Sequence, residues 1–369
     1  MVKNEEESII VTLESVKKYF KNIIISDTGS TDNTVEVIKK FCMDNSLNLY
    51  LNQTTFKTFP ESRNEAIEFA ENVKVQFLLI MDSSDEFKTT LNKTQFLEAI
   101  TYIPNDINYG LVIRQCLERN ENNGSEELHE HKDYRLIRNN SNCRYDLDIP
   151  VHEAFSNVDK CILMNGVFNL YQNRIKYGIS TKERYEKDIE LLLKAKPTKR
   201  NLYYLAQTYM NLNDYENGFK YNVLSIEAKD NTAPIDEGFT YVRAGICAMN
   251  INKPFYIIFN YLEKAANLPK PPIDAFIYIF QICIHNNYIE KALPYVEKAF
   301  NLEKPNIDST LVNHYFYDFL RWNLISVICV SANQYLDIGR EAHLRAIKAQ
   351  PNSNDTFLLK AQEYFKNNN

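Results

Sequence analysis

The chain has 369 residues, of which 44% are hydrophobic and 12% aromatic, and its formal net charge is −6 at pH 7. This length exceeds what one compact core usually holds, so two domains are expected, and the apolar content argues against disorder. An acidic chain gives no electrostatic reason to expect nucleic acid as a partner, because neutralising phosphates requires a basic surface.

The seven cysteines are scattered along the chain and are never spaced as Cys-x-x-Cys. This pattern favours buried thiols in a reducing compartment over a disulfide framework or a zinc site. The start of the chain is acidic and lacks the apolar region of a signal peptide, and the longest apolar stretches are too short to span a bilayer. We therefore expect a cytoplasmic protein without a transmembrane segment.

Helices and strands alternate in the first half of the chain, as judged from the spacing of its apolar residues. The predicted elements are a helix over 9–20, a strand over 23–25, a helix over 35–42, a weaker strand over 47–51, a helix over 61–73 and a buried strand over 77–81. Thr31 or Asp32 is placed to cap the second helix. This alternation predicts a mostly parallel sheet covered on both faces, which binds ligands beyond the carboxyl ends of its strands.

No strand is predicted after residue 180, where Ser180 and Glu183 have the spacing of a capping box that opens a helix. Four helix-pair segments follow, each with a small residue near the end of its second helix. Those residues are Ser225, Ala265, Ala299 and Ala346. The pattern indicates helical repeats of the tetratricopeptide type, which bury a continuous core by stacking. The predicted domains are residues 1–177, an α/β domain, and residues 178–369, an all-α domain.

Two polar segments stand where an open α/β sheet places its ligand site. Residues 27–34 follow the first clear strand, where Gly29 permits a tight turn and Asp27 can accept hydrogen bonds from a base or ribose. Arg63 lies at the start of a helix and could reach a nucleotide as a fixed donor fork. A capped strand-to-helix connection and a surface arginine are the plain structural alternatives.

A third segment follows the buried strand directly and contains Asp82, Asp85 and Glu86. Carboxylates this close repel one another unless a cation or solvent compensates. Mg²⁺ or Mn²⁺ takes oxygen ligands and bridges phosphate oxygens, so the cluster suits a metal–diphosphate site. An acidic solvated loop is the alternative.

Four motifs occur together in the order and rough spacing typical of one family. Lys3-Asn4-Glu5-Glu6, the turn over 27–32, Arg63-Asn64-Glu65-Ala66 and the segment over 82–87 resemble family 2 glycosyltransferases with the GT-A fold. The resemblance covers about residues 1–175. Arg184 and Asp188, with the segments over 203–209 and 236–239, look like the branch of that family with a tetratricopeptide tail. In that branch the transferase domain ends near a Val-His-Glu, which stands here as residues 151–153.

The resemblance implies transfer of a sugar from a nucleoside-diphosphate sugar, with a UDP-sugar expected, and with inversion at the anomeric carbon. It implies a divalent cofactor, Mn²⁺ or Mg²⁺, and an acceptor that is a glycan, a protein or a lipid. A protein partner could bind to the helical repeats. By matching position, the donor-binding residues are Asn4, Glu5, Asp27, Thr28, Arg63 and Asp82, the metal ligands are Asp82, Asp85 and His152, and the candidate bases are Asp85 and Glu153. Glu153 could instead pair with an arginine at 135, 138 or 144, and His152 could be structural.

Two departures from the family pattern favour an alternative function. Only Met1 and Val2 precede the Lys-Asn-Glu-Glu motif, where the family has a full apolar strand, and the usual Asp-x-Asp reads Asp82-Ser83-Ser84. A serine hydroxyl is a poorer ligand for a hard cation than a carboxylate. The alternative is a catalytically weak or inactive transferase-like domain that serves as a binding or scaffold protein through its helical repeats.

Overall fold

The computed structural model describes residues 1–119, 126–156, 158–173, 181–230, 236–305, 313, 315–351 and 353–367. The chain divides into two compact units, Met1–Arg184 and Tyr185–Asn369, here called the α/β unit and the helical unit. The predicted boundary between residues 177 and 178, and Ser180 of the predicted capping box, lie outside the described residues.

The α/β unit contains every element that was predicted up to residue 81, with ends that differ by a few residues. Its helices are α1 (Ile9–Val16), α2 (Thr34–Asp44), α3 (Phe59–Ala70) and α4 (Lys93–Thr101). Its strands are β1 (Asn22–Asp27), β2 (Asn48–Gln53), β3 (Phe77–Leu79), β4 (Asp85–Lys88), β5 (Tyr109–Arg119), β6 (Glu126–Arg138), β7 (Cys161–Leu163) and β8 (Asn169–Asn173). Thr58 caps α3 by accepting a hydrogen bond from the Glu61 N–H, and Pro60 lies in the first turn.

The described strands form two sheets. Strands β1 and β2 pair in parallel, and the other six form a sheet in the order β3-β6-β5-β8-β4, with β7 also paired to β5. The pairs β5–β7 and β5–β8 are parallel, whereas β3–β6, β4–β8 and β5–β6 are antiparallel. The six described pairings are thus evenly divided. Antiparallel partners enter because the long β5–β6 hairpin supplies two neighbouring strands.

An apolar cavity of about 460 Å³ lies in the α/β unit and is lined by residues of both β1 and β3. Helices α1 and α3 contribute further apolar side chains to its wall, including Leu13 and Ile67. At one end Val2 pairs with Asp27 as an isolated parallel bridge, and its N–H donates to the Ser26 carbonyl at 2.9 Å. The short apolar start of the chain therefore occupies only the end of the space beside β1.

A register shift interrupts the β5–β6 ladder between Gly110 and Leu111. Gly110 is opposite Leu136 and Leu111 is opposite Tyr134, so Arg135 is the extra residue of a β-bulge. A Cβ added at Gly110 would lie 2.8 Å from the Leu136 Cβ, so the close approach of the two strands requires glycine here. The Arg135 carbonyl accepts from the Ile80 N–H at 2.7 Å, which connects the bulge to the residue that follows β3.

The helical unit contains no strand among its described residues. Its helices are α5 (Thr181–Lys194), which begins in the α/β unit, α6 (Lys199–Asn211), α7 (Tyr215–Glu227), α8 (Glu237–Asn250), α9 (Phe255–Ala266), α10 (Ile273–His285), α11 (Ile289–Ala292), α12 (Val296–Asn301), α13 (Arg321–Ala332), α14 (Leu336–Ala349) and α15 (Thr356–Asn367). A 3₁₀-helix spans Leu293–Tyr295 and a π-helix spans Phe316–Leu320. The prediction of an α/β domain followed by an all-helical region is confirmed. None of the described helices combines the length and apolar character needed to cross a membrane.

The small residues singled out in the helical unit pack in its interior. Ser225, Ala265, Ala299 and Ala346 lie on α7, α9, α12 and α14, and each is 0% exposed. Small side chains allow close approach of neighbouring helices, as a stack of helix pairs requires. Assignment of these helices to tetratricopeptide repeats stays a prediction.

Within the described residues none of the seven cysteines forms a disulfide. Six are buried and Cys161 is exposed. The expectation of buried thiols is met at those six positions.

Candidate active site

The turn after β1 is held together by its own polar side chains. Gly29 adopts a φ of 99°, which suits glycine. The Asp27 carboxylate accepts from the Ser30 N–H at 3.2 Å and from the Ser30 hydroxyl at 2.5 Å, and Asp27 is 3% exposed. The Thr28 hydroxyl donates to the Val2 carbonyl at 3.1 Å. These contacts show Asp27 and Thr28 shaping a tight connection, which was the structural alternative for this segment.

Asn4 and Glu5 lie against this turn and the start of α2. The Asn4 side chain accepts from the Thr31 N–H at 2.7 Å, and the Asn4 N–H donates to the Ser30 hydroxyl at 2.9 Å. The Glu5 N–H donates to the Thr34 hydroxyl at 2.7 Å. The structure therefore brings the four sequence-predicted donor residues Asn4, Glu5, Asp27 and Thr28 into one cluster, called here the turn cluster.

Asp82 follows β3 and receives hydrogen bonds from three arginines. The Arg114 Nη2 lies 2.6 Å from its Oδ2, and the Arg63 Nη2 lies 3.2 Å from its Oδ1. Arg135 contacts both oxygens, with its Nη1 at 3.4 Å from Oδ1 and its Nη2 at 3.2 Å from Oδ2. Burial on its own would raise the pKa of Asp82, but Arg135, Arg63 and Arg114 hold the pKa well below its ordinary value of 3.8.

Asp85 begins β4 and is 0% exposed. Its Oδ1 accepts from Arg114 at 2.7 Å, and its Oδ2 accepts from the Asp82 N–H at 2.9 Å. Burial, and then the negative charge of Asp82, raise the pKa of Asp85, although Arg114 acts in the opposite direction. The Asp85 carbonyl accepts from the Thr12 hydroxyl at 2.7 Å, which ties α1 to this loop.

Glu153 lies on the other side of Arg63. Its Oε1 is 3.5 Å from the Arg63 Nε, and its side chain is 17% exposed. The sequence left open a pairing with an arginine at 135, 138 or 144, and the structure pairs it with Arg63 instead. Tyr145 places its ring 5.6 Å from the Arg63 guanidinium, which completes the surroundings of that arginine. Arg63, Asp82, Asp85 and Glu153 with Arg114 and Arg135 are called here the arginine cluster.

The predicted ligand set Asp82, Asp85 and His152 is not assembled in the structure. Among the described residues, no group of three or more His, Cys, Asp and Glu side chains is placed to hold a metal ion. His152 is exposed and has a φ of 54°. The Ser84 hydroxyl accepts from the Gln172 side chain at 2.7 Å. The residues present do not fit a divalent metal, because the oxygens assigned to it already accept hydrogen bonds from protein groups.

Arg114 and Arg135 are members of the site that the sequence analysis missed. Arg114 lies on β5 between Val112 and Cys116, which are 0% and 1% exposed, so the period of two places it on the buried face. An arginine at an inward position of a strand signals a buried carboxylate partner, and that signal was present in the sequence. Arg135 reaches Asp82 because of the β-bulge, which has no comparable local signature.

The two clusters adjoin the same cavity. Arg63, Asp82 and Tyr145 line it, and so do Val2 and Ser26, which neighbour the turn cluster. Most of the remaining lining is aliphatic and aromatic. A space with an apolar wall and a few polar groups at one place is the usual form of a small-molecule site.

Comparison with known proteins supports this location for the site. Residues 1–161 match the family model described as Glycosyl transferase family 2. The α/β unit is similar to this family. The match contains all the sequence-predicted site residues and agrees with the predicted GT-A type of α/β domain.

Individual relatives are more distant. An uncharacterized protein of Methanocaldococcus jannaschii is 23% identical over 175 residues, which are 47% of this chain and 62% of that protein. The match thus spans about three fifths of the length of that curated relative. The crystal structure of S. aureus TarS residues 1–349 shares 13% identity over 96% of this chain and 91% of that chain, with a TM-score of 0.31. The same fragment in complex with UDP gives 12% identity with the same coverage and a TM-score of 0.29. At these TM-scores the two likenesses support no conclusion.

Proposed function

We propose that the α/β unit transfers a sugar from a nucleoside-diphosphate sugar to an acceptor hydroxyl, with inversion at the anomeric carbon. The family match over residues 1–161 supports the reaction class. The observation that carries the proposal is the gathering of Arg63, Asp82 and Glu153 at the cavity that also adjoins the turn cluster. A UDP-sugar is the expected donor, and the acceptor is a glycan, a protein or a lipid.

In this proposal the two clusters contribute different parts of the donor site. The turn cluster shapes the end of β1, where an open α/β sheet receives a nucleoside, and Asn4, Glu5, Asp27 and Thr28 act by fixing that turn. Arg63 presents a planar donor fork suited to phosphate oxygens. Asp82 orients the guanidinium groups of Arg63, Arg114 and Arg135 through the contacts described above.

Glu153 is the better candidate for the general base. An inverting transfer needs one group that removes the proton of the acceptor hydroxyl as the sugar is displaced. Asp85 is 0% exposed, with both oxygens engaged by Arg114 and the Asp82 N–H, so it has no access to an acceptor. Glu153 keeps 17% of its side chain exposed and makes only a long ion pair, at 3.5 Å, with Arg63.

The resemblance also implies Mn²⁺ or Mg²⁺ with Asp82, Asp85 and His152 as ligands. The described residues do not fit that ion, for the reasons given for the site. The proposed mechanism therefore assigns the chemistry to side chains and routes no step through a metal.

The test is to incubate the protein with UDP-, GDP-, CDP- and dTDP-sugars and to quantify the nucleoside diphosphate released, with and without Mn²⁺. We expect release from one class of donor, and Glu153→Gln should lower kcat by about 10²-fold or more while the KM for the donor stays similar. Lys160→Ala is the matched control, because Lys160 pairs with Asp106 on the exposed surface. Absence of binding and release with every donor would contradict the proposal.

A scaffold function is the second candidate, and one observation favours it. The hydroxyl and carboxylate oxygens at residues 82, 84 and 85 are all engaged within the protein, as expected of a transferase-like domain that has lost its chemistry. The helical unit would then supply the binding surface for a protein partner. Donor binding without turnover in the wild type, and equal behaviour of Glu153→Gln, would favour this candidate. The cytoplasm remains the proposed compartment.

A further inference from the structure

The arginine cluster places positive charge where a divalent cation was expected. Three guanidinium groups lie within 3.4 Å of the Asp82 carboxylate, and two of them, on Arg114 and Arg135, are 7% exposed in their side chains. A divalent ion at Asp82 would have to displace these groups or accept their repulsion at short range. In a partly buried site such like-charge repulsion is only weakly screened.

Neither Asp85 nor Ser84 offers a route around this difficulty. Both oxygens of Asp85 accept hydrogen bonds, and its carboxylate is fully enclosed. The Ser84 hydroxyl is 2.7 Å from the Gln172 side chain, and Ser84 is 7% exposed. The oxygens of all three residues are thus committed to groups of the protein.

Arg63 differs from the other two arginines in having an unused donor beside the cavity. Among the described residues its Nε is a buried atom without a hydrogen-bond partner, since the ion pair to Glu153 at 3.5 Å does not have hydrogen-bond geometry. A buried donor without an acceptor is costly to keep. Because Arg63 lines the cavity, an anion entering there could accept that hydrogen bond.

We propose that this site binds the diphosphate of its donor without a divalent cation, and that Arg63 supplies the principal contact. The inference rests on the proposed function and names its cofactor requirement. Arg114 and Arg135 are positioning residues, which hold Asp82 so that it orients Arg63. A charge-assisted, bidentate bond from guanidinium to phosphate provides the attraction that a metal would otherwise provide.

The test measures binding rather than turnover. UDP, GDP, CDP and dTDP are titrated into the full chain by calorimetry, once in EDTA and once in Mn²⁺, and inorganic pyrophosphate serves as the probe of the diphosphate position alone. We expect one nucleotide to bind with a Kd that differs by less than about threefold between the two conditions, and pyrophosphate to compete with it. Mn²⁺ added to the protein alone should keep the electron paramagnetic resonance signal of the free ion at millimolar concentration.

Variants identify the contact. Arg63→Gln should weaken nucleotide binding in EDTA by about tenfold or more, while Arg63→Lys should retain part of the affinity. Arg138→Gln is the control, since this guanidinium donates to the carbonyls of residues 103, 104 and 107 instead of a site residue. Circular dichroism of each variant confirms that the fold is kept.

The outcomes separate the two proposals. Binding of a nucleotide in Mn²⁺ but not in EDTA overturns the metal-independent site and leaves the transferase proposal standing. Absence of binding by all four nucleotides in both conditions overturns both. Equal affinity of Arg63→Gln and the wild type, with EDTA having no effect, overturns the assignment of Arg63.

Discussion

The two units of this protein bury their apolar side chains in different ways. In the helical unit one core cluster extends from α8 to α15 and includes Phe276 and Phe280, both 0% exposed. The α/β unit has two separate core clusters and a cavity of about 460 Å³ between β1 and β3. Helices that follow one another along the chain can close their core locally, whereas a sheet must join strands that are far apart in sequence. We therefore expect the α/β unit to be the less stable one.

The largest expected effect separates the units through the arginine cluster. Asp82→Asn leaves Arg63, Arg114 and Arg135 without their shared carboxylate, and breaking a buried ion pair from one side is strongly destabilising. We expect a loss of about 2–3 kcal/mol in the free energy of unfolding of the α/β unit, somewhat below the range for full burial because Asp82 is 30% exposed. Hydrogen exchange resolved by region measures it, and protection of α8 to α15 should not change. Equal loss in both units would break the comparison.

The acid dependence of that loss follows from the pKa of Asp82. Because its folded pKa lies well below 3.8, Asp82 contributes stability above its unfolded pKa of about 3.9, and this contribution is lost as the pH falls through the folded value. The difference between wild type and Asp82→Asn should therefore be constant from pH 7 to about pH 5. It should shrink below about pH 4. Denaturant unfolding at a series of pH values checks the sign, and a difference that grows on acidification would contradict it.

An identical substitution should have opposite effects in the two units. Ala275 on α10 is 0% exposed in the continuous core, so Ala275→Leu should cost about 1–3 kcal/mol by overpacking. Ala66 on α3 lines the cavity, so Ala66→Leu should add about 1 kcal/mol, since each buried methylene is worth about 0.8 kcal/mol before ordering costs. Shifts in the two unfolding transitions measure both. Destabilisation by Ala66→Leu would mean that the cavity is already filled.

The smallest effect concerns the rate at which buried thiols react. Cys42, Cys116 and Cys143 are buried in the α/β unit, and Cys247, Cys283 and Cys329 are buried in the helical unit. Burial raises the pKa of Cys247, Cys283 and Cys329 to about 12, so reaction requires local opening. Alkylation followed by mass spectrometry should modify exposed Cys161 first, then the α/β thiols several-fold faster than the helical ones. The reverse order would assign the weaker core to the helical unit.

The sequence predicted the first six elements because their apolar residues follow the helix and strand periods. The strands after residue 82 were not located, since β5 pairs with β6, β7 and β8 and those partners are set by tertiary packing. The site was predicted in part for the same reason. Arg63, Asp82 and Glu153 followed from motif order, whereas the cation beside Asp82 was expected to be a metal. Arg135 reaches it through a bulge, a backbone feature that propensities do not encode.

The pairing of β4 with β8 has a consequence for synthesis on the ribosome. Asp85 pairs with Gln172, and Phe87 stacks on Phe168 at a ring distance of 5.2 Å. At a translation rate of about 5–20 residues per second, β4 waits roughly 4–20 seconds for its partner strand. During that interval Phe87 can contact Tyr19, Phe20 and later Phe96, which are made close to it in time. The aromatic residues of the early segment thus provide an interim shelter for a strand edge that would otherwise meet a chaperone or another nascent chain.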